Sequence, residues 1–179
     1  MRMNPSAKLT AKEIVNKWSE DALAKIFKEL GEEPRWRQAA RAIVEARKKQ
    51  TIESTKQLSD IICGMVKGRG KLHPATLVFQ ALRICVNKEL EVLADGLNKA
   101  MKWLAPHGRI GAISFHSLED RIVKNIFRTA ATPRREGKEK LAAMMKLITK
   151  KPLIPTLKEI RLNPRARSAK LRFAEKIWS

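Results

Sequence analysis

The pattern of apolar and polar residues predicts several short helices in the first third of the chain. Thr10 followed by Glu13 matches a capping box, which favours a first helix that ends near Trp18. Ser19 precedes a run whose apolar residues recur every three or four positions, so a second helix is predicted to begin there. Gly31 is predicted to end that helix, because glycine readily adopts the left-handed backbone of a helix C-terminus.

Two more helices are predicted in the same region. Pro34 is expected in the first turn of a third helix, where proline is tolerated. Ser54 followed by Gln57 matches another capping box and predicts the start of a fourth. Residues 9–66 are therefore predicted to form a small helical domain, in which no residue pattern indicates catalysis.

A long amphipathic helix is predicted next, beginning at Pro74. Its apolar stripe consists of residues spaced three and four apart, namely Val86, Leu90, Leu93, Leu97, Met101 and Leu104. After a turn, the short apolar run 109–115 predicts a buried strand. Ser117 with Asp120 then predicts a capped helix that ends near Arg128.

This order of elements indicates an α/β fold. A helix, a tight turn, a buried strand, a polar loop and a second helix make up one unit of a doubly wound sheet. Residues 146–151 and 171–177 are two further candidate strands, which could form an antiparallel edge pair. Three strands cannot complete a Rossmann-like sheet, so we expect part of a larger fold.

The charge of the chain indicates a polyanionic partner. Its 179 residues include 38 basic and 18 acidic ones, a net charge of +20, and residues 129–179 contribute 14 basic and 4 acidic residues. Prolines interrupt this basic tail, and no apolar run is long enough to span a bilayer, so RNA or DNA is a better prediction than a membrane. Without a signal-peptide pattern or a disulfide or zinc spacing at Cys63 and Cys85, the expected compartment is the cytoplasm.

The polar loop after the predicted strand is the strongest candidate site. Ser114, His116, Ser117 and Arg121 follow the carboxyl end of that strand, where open α/β sheets place their ligands. The structural alternative is that Ser117 and Asp120 only cap the next helix. With three histidines, two separated cysteines and no acidic cluster, no metal site is predicted, and neither a P-loop nor a Gly-x-Gly-x-x-Gly sequence occurs.

A second candidate lies just before the last predicted strand. Arg165, Arg167 and Lys170 alternate with small residues in segment 163–172. Because guanidinium groups pair well with phosphate oxygens, we expect this segment to contact nucleic acid. The alternative is a solvated basic linker.

Three segments of the sequence closely resemble one family. Segments 73–90, 113–124 and 163–172 resemble the bacterial S-adenosylmethionine-dependent methyltransferases that modify a cytosine amino group of small-subunit ribosomal RNA. The opening Met-Arg-Met and residues 41–44 are similar to that family as well. The segments occur in the family's order and with comparable spacing, over nearly the whole chain.

The resemblance implies a partial class I (Rossmann-like) methyltransferase core with an all-helical inserted domain. Residues 1–8 would end the first half of the core, 9–70 would be a helical insertion for RNA recognition, and 71–179 would form the second half with its basic tail. The family's glycine-rich cofactor loop lies before the Met-Arg-Met segment. The cofactor of the family is S-adenosylmethionine, but no cofactor-binding residue is expected in this chain, and the chain alone is expected to be inactive.

The resemblance also implies roles for individual residues. Ser114, His116, Ser117 and Arg121 would line the target-base side of the site. The expected RNA contacts are His73, Arg83, Asn87, Arg165, Arg167 and Lys170. The implied partners are small-subunit ribosomal RNA and either a chain that supplies the first half of the core or a second copy of this chain.

Two other functions fit part of the sequence. A basic RNA-binding module without catalysis would explain the charge equally well. A DNA-binding helix-turn-helix built from the first four helices would leave the three matching segments unexplained. The chain also departs from the family at Asn4, where aspartate is usual, and at His107, where glycine commonly precedes Gly108.

Overall fold

A computed structural model describes residues 1–65, 73–136 and 139–177 of the chain. These residues belong to two compact units, Met1–Glu89 and Leu90–Ser179. The predicted domain boundary between residues 70 and 71 lies outside the described residues. None of the helices in the described ranges has both the length and the apolar character that a membrane crossing requires.

The first unit is helical throughout its described elements. They are α1 (Ala11–Lys17), α2 (Glu20–Glu29), α3 (Trp36–Lys49), α4 (Thr55–Gly64) and α5 (Thr76–Asn87). The predicted caps Thr10, Ser19 and Ser54 are confirmed, because each side chain accepts a hydrogen bond from a backbone N–H in the first turn. The prediction for Pro34 is wrong: it lies in the turn before α3, where the Glu33 carboxylate accepts the Arg35 N–H at 3.0 Å.

One apolar core joins the five helices of this unit. Its fully buried large side chains are Ile14, Leu23, Phe27, Ile43, Ile62, Val78 and Leu82. Gly31 ends α2 at a close approach to α5, since a Cβ atom there would lie 2.7 Å from the Leu77 carbonyl oxygen. The predicted end of α2 therefore has a packing reason, whereas the left-handed backbone predicted for Gly31 is not adopted.

The long helix predicted from Pro74 is wrong, because two helices replace it. Lys88 has φ 51° and ψ 42°, a left-handed conformation that ends α5, and α6 (Glu89–Trp103) follows at once. The apolar stripe continues at helical spacing across this break, but its residues pack into two separate hydrophobic cores. Val86 is buried in the core of the first unit, whereas Leu97 and Met101 are buried in that of the second.

The second unit is a small α/β structure, which confirms the predicted class. After α6 come β1 (Arg109–Ser114), α7 (Ser117–Ala130), β2 (Arg134–Glu136), β3 (Glu139–Leu141), β4 (Met145–Leu147), α8 (Leu157–Leu162), a 3-10 helix (Pro164–Ser168) and β5 (Lys170–Lys176). Strands β1, β5 and β4 form an antiparallel sheet in that order, and β2 pairs with β3 as a separate hairpin. The predicted pairing of the last two candidate strands is confirmed, but β5 lies at the centre of the sheet rather than at its edge. The β2–β3 hairpin was not predicted.

Burial alternates along β1, so the prediction of a fully buried strand is wrong. Ile110, Ala112 and Ser114 face the packed side, where the buried core includes Leu97, Met101, Val123, Phe127, Met145 and Ala174. Ile113 on the other face is 60% exposed, and the adjacent Phe115 is 54% exposed. An apolar run of this kind is typical of a strand that is covered on both faces. Among the described residues of this unit, however, the hydrophobic core packs against one face of β1.

Candidate functional site

The loop after β1 is shaped by a capping box that the sequence analysis placed one residue too late. His116, not Ser117, is the N-cap of α7: its Nδ1 accepts the Glu119 N–H at 3.3 Å. The Glu119 carboxylate in return accepts the backbone N–H groups of Phe115 at 2.8 Å and His116 at 3.3 Å. The imidazole therefore takes the acceptor position that Ser, Thr, Asp or Asn usually fills.

The His116 side chain is 10% exposed and keeps one nitrogen without a hydrogen bond among the described residues. That atom, Nε2, lies 3.3 Å from Glu119 Oε1 but is not aligned for a hydrogen bond with it. Because Nδ1 is an acceptor, the proton of the neutral ring is on Nε2. The N–H of the ring is therefore buried beside the Glu119 carboxylate.

Electrostatic effects keep Glu119 ionised. Its burial raises the pKa of the carboxyl, but the His116 side chain and the backbone amides of Phe115 and His116 lower it more, so the pKa lies below its ordinary value. A carboxylate that caps α7 and approaches the imidazole is therefore present at neutral pH.

Asp120 does not cap α7, contrary to the prediction, because the box at His116 leaves its carboxylate free to reach β5. Its Oδ1 accepts from Arg172 Nε at 2.7 Å, its Oδ2 from Arg172 Nη2 at 3.2 Å, and Lys170 Nζ lies 3.6 Å from Oδ2. The Arg172 guanidinium hydrogen bond, with the charges of Arg172 and Lys170, holds the pKa of Asp120 below its ordinary value. Asp120 and Arg172 are 14% and 8% exposed, so this is a mostly buried ion pair.

A cavity of about 330 Å³ connects this loop with the basic segment before β5. Phe115, His116 and Ser117 form one wall, and Ile154, Pro155 and Ile160 form a second. The third wall consists of Arg167, Ser168, Ala169 and Lys170. The cavity combines apolar surface with a few polar groups and two cations, as small-ligand sites commonly do.

The structure thus brings together four of the predicted site residues. His116, Ser117, Arg167 and Lys170 all line the cavity, although about 50 positions separate the two pairs in the sequence. The pairing of Ser114 with Lys170 in the β1–β5 register accounts for this, because it joins the end of one motif to the end of the other.

The other predicted residues of this unit lie beside the cavity lining. Ser114 is buried at the end of β1 and donates its hydroxyl to the Lys170 carbonyl oxygen at 3.3 Å. Arg121 is exposed in the second turn of α7, and Arg165 is exposed in the 3-10 helix. Ala166, between the two arginines, is buried, so this short helix turns both guanidinium-bearing residues outward.

The three predicted RNA contacts of the first unit make intramolecular contacts. Asn87 accepts the Met3 N–H at 2.8 Å and donates to the Met1 carbonyl oxygen at 2.9 Å. Arg83 pairs with Glu89 at 2.9 Å. His73 accepts the Ala75 N–H at 3.3 Å just before α5. These contacts give each residue a structural role, and RNA contact by any of them stays a prediction.

Sequence reasoning missed the apolar wall of the cavity and the Asp120–Arg172 pair. Ile154, Pro155 and Ile160 come from a segment in which no motif was recognised. Arg172 could have been found, since Lys170 and Arg172 alternate along one strand and must share a face. A larger cavity of about 600 Å³, between α6 and α7, contains none of the predicted site residues in its lining.

Comparison with known proteins assigns the family. The MraW methylase family matches residues 1–177. Proteins named ribosomal RNA small subunit methyltransferase H are 50% identical in Protochlamydia amoebophila over 189 aligned residues, 50% in Synechococcus elongatus over 180, and 48% in Persephonella marina over 180. Each alignment covers 99% of this chain but 59%, 56% and 58% of the relative, so the chain spans little more than half the length of these relatives. With its family match over nearly all residues, the chain belongs to the MraW methylase family.

Proposed function

We propose that this chain is part of an enzyme that uses S-adenosylmethionine to methylate a cytosine exocyclic amine of small-subunit ribosomal RNA. The relatives named as small-subunit ribosomal RNA methyltransferases support the reaction class and the substrate. The observation that carries the proposal is the cavity in which His116 and Ser117 meet Arg167 and Lys170. It offers a donor for a base and cations for its phosphates in one place.

The cavity residues would hold the target base and leave the methyl donor to the rest of the protein. S-adenosylmethionine, when bound, supplies an electrophilic methyl group at its sulfonium. Phe115 is 54% exposed and offers a ring face on which an unstacked pyrimidine can stack. The His116 Nε2–H is buried beside Glu119 in the unbound chain, and a rotation of the ring towards the cavity would let it donate to O2 or N3 of cytosine. That bond would orient the exocyclic amine without competing for its own hydrogens.

The basic wall would fix the RNA backbone next to the base. Arg167 is exposed, and Lys170 lines the cavity 3.6 Å from Asp120, so both cations are placed to contact phosphate oxygens. Positioning is the main task for methyl transfer, because amine, methyl carbon and sulfur must be collinear. A stacked ring, one base-edge hydrogen bond and one phosphate contact together restrict the base to a single orientation.

The finer points of fold and location belong to the same proposal. Residues 71–179 would be the second half of a class I methyltransferase core, completed by a preceding segment of the protein, a separate chain or a second copy. Residues 9–70 would be the inserted domain for RNA recognition. Ribosomal RNA as substrate favours the cytoplasm.

The test uses the complete Protochlamydia amoebophila relative with alanine at the position that matches His116. Methyl transfer from labelled S-adenosylmethionine to small-subunit ribosomal RNA should fall about 5- to 150-fold, because removing one partner of a buried hydrogen bond costs about 1–3 kcal/mol. RNA affinity should change much less. Unchanged turnover would remove His116 from the site. If this 179-residue chain binds RNA without methylating it, the non-catalytic module describes the isolated chain.

A further inference from the structure

A second cavity of the α/β unit is lined by cations, and none of its lining residues in the described part of the chain is acidic. It has a volume of about 250 Å³ and lies between α7 and the segment after β4. Its lining consists of Lys124, Phe127, Arg128, Leu147, Thr149, Lys150 and Arg172. None of these residues was predicted as a site residue from the sequence. We propose that this basic cleft binds the phosphates of a single-stranded RNA that continues from the target-base cavity.

No carboxylate of the described residues neutralises the cations at the rim. Lys124 and Arg128 are one turn apart on α7, so their side chains are neighbours on the helix surface. Lys150 comes from the opposite side of the cleft. All three are exposed, and none forms an ion pair with the described acidic residues. Three like charges around one cavity repel each other, and a bound phosphodiester would remove that repulsion.

Hydrogen bonds, an ion pair and core packing hold the floor of the cleft in place. The Arg172 guanidinium is 8% exposed and held by Asp120. Thr149 Oγ1 accepts the Phe173 N–H at 2.8 Å, which fixes the segment that carries Lys150 against β5. Phe127 is fully buried in the core beneath. A preorganised floor with flexible cations at the rim suits a charged backbone better than a specific small molecule.

The same ion pair links this cleft to the target-base cavity. Asp120 binds Arg172, which lines the cleft, and approaches Lys170, which lines the base cavity. Each cavity therefore has a lining cation beside the same carboxylate, and the proposal places one strand of RNA across both. A lipid surface fits less well, because the apolar lining residues Phe127 and Leu147 pack in the core rather than project outward. This inference rests on RNA being the substrate.

The test measures RNA affinity of the 179-residue chain against salt. A fluorescein-labelled single strand of about 12 nucleotides is titrated between about 50 and 200 mM salt, with the variant Lys124→Gln/Arg128→Gln/Lys150→Gln. Each lost phosphate contact should lower the slope of log affinity against log salt by about 0.7, so the triple variant should lose about 2. The Kd of the variant divided by the Kd of the parent should then be about 18-fold smaller at the highest salt concentration than at the lowest.

A matched control removes the same charges elsewhere in the unit. Lys102→Gln/Lys146→Gln/Arg161→Gln eliminates two lysines and one arginine that are exposed, form no ion pair with the described acidic residues and do not line the cleft. Its slope should stay within experimental error of the parent. Lys150→Gln alone should lower the slope by about 0.7, which keeps the test decisive if the triple variant does not fold.

The outcomes separate this inference from the proposed function. If the slope of log affinity against log salt were equal for the triple variant, the control and the parent, the cleft would not bind RNA phosphates. This conclusion does not depend on the turnover of the complete enzyme. If the triple variant lost binding to vesicles of phosphatidylcholine and phosphatidylglycerol that the parent binds, but kept the RNA binding of the parent, the proposed RNA cleft would be a membrane-binding surface instead. A lowered slope together with a fully active His116 variant would keep the cleft and reject the proposed base site.

Discussion

Replacing Asp120 by alanine should be among the most destabilising single changes in the α/β unit. The substitution leaves the Arg172 guanidinium, 8% exposed, without the carboxylate that now accepts two of its hydrogen bonds at 2.7 and 3.2 Å. Removing one partner of a buried ion pair typically costs about 3–5 kcal/mol, because the remaining charge is buried and uncompensated. Asp120→Asn keeps an acceptor but loses the charge, so a smaller cost of about 1.5–3 kcal/mol is expected.

Hydrogen exchange measured by mass spectrometry on peptides that cover β1 and β5 gives the free energy of opening at the site itself. The matched control is Asp95→Ala, which breaks an exposed pair with Lys99 on α6 and should cost about 0.3–0.5 kcal/mol. If Asp120→Ala destabilises β5 no more than Asp95→Ala does, the buried pair does not hold α7 to the sheet. The reasoning about Asp120 would then be refuted.

The pH dependence of folding stability provides a second test of the Asp120–Arg172 pair. Because the pKa of Asp120 is lower in the folded protein than its ordinary value of 3.8, the unfolded chain binds the proton more readily. The contribution of ionised Asp120 to the free energy of unfolding is therefore complete above the ordinary pKa. It is lost as the pH falls through the pKa of the folded protein. The Asp120→Asn variant should lack this acid-induced loss, measured by exchange or thermal unfolding below about pH 5.

Three further substitutions test local features. His116→Ala should destabilise α7 by about 1 kcal/mol and His116→Asn should restore most of it, because asparagine is a good N-cap; equal melting temperatures would contradict the cap. His107 has φ 63°, so His107→Gly should raise stability by up to about 1 kcal/mol in urea unfolding, and a loss would contradict strain there. Gly111→Ala would place a Cβ 2.5 Å from the Phe173 ring and should cost about 1–3 kcal/mol by the same measurement, whereas a neutral effect would mean that the ring moves freely.

Helix starts could be predicted from the sequence because they depend on local hydrogen bonds. Thr10 and Ser54 each meet a backbone N–H three residues on, and that spacing is written in the chain. At α7 the same logic chose Ser117, since serine is the commoner cap, and the imidazole of His116 took the position instead. A capping box at Ser117 would need the Asp120 side chain, which instead pairs with Arg172. Without that contact, the sequence alone does not show which of the two neighbouring residues is the cap.

Features set by distant contacts could not be predicted. A single left-handed residue, Lys88, divides a stripe of apolar residues whose spacing is continuous. Exposure of Ile113 depends on what covers each face of β1, and a run of apolar residues does not reveal that. The cavity joins His116 to Lys170 through strand pairing across more than 50 residues, so the site residues were predicted from motifs but their meeting was not.

The central claim is that the cavity between the β1–α7 loop and the segment before β5 receives a cytosine of single-stranded RNA. It is tested most directly by irradiating the 179-residue chain with RNA that carries 5-iodocytidine and sequencing the cross-linked peptides. The account predicts cross-links at Phe115 and His116, lost on competition with unmodified RNA and reduced by Arg167→Gln/Lys170→Gln. Cross-links confined to peptides that do not line this cavity would contradict it.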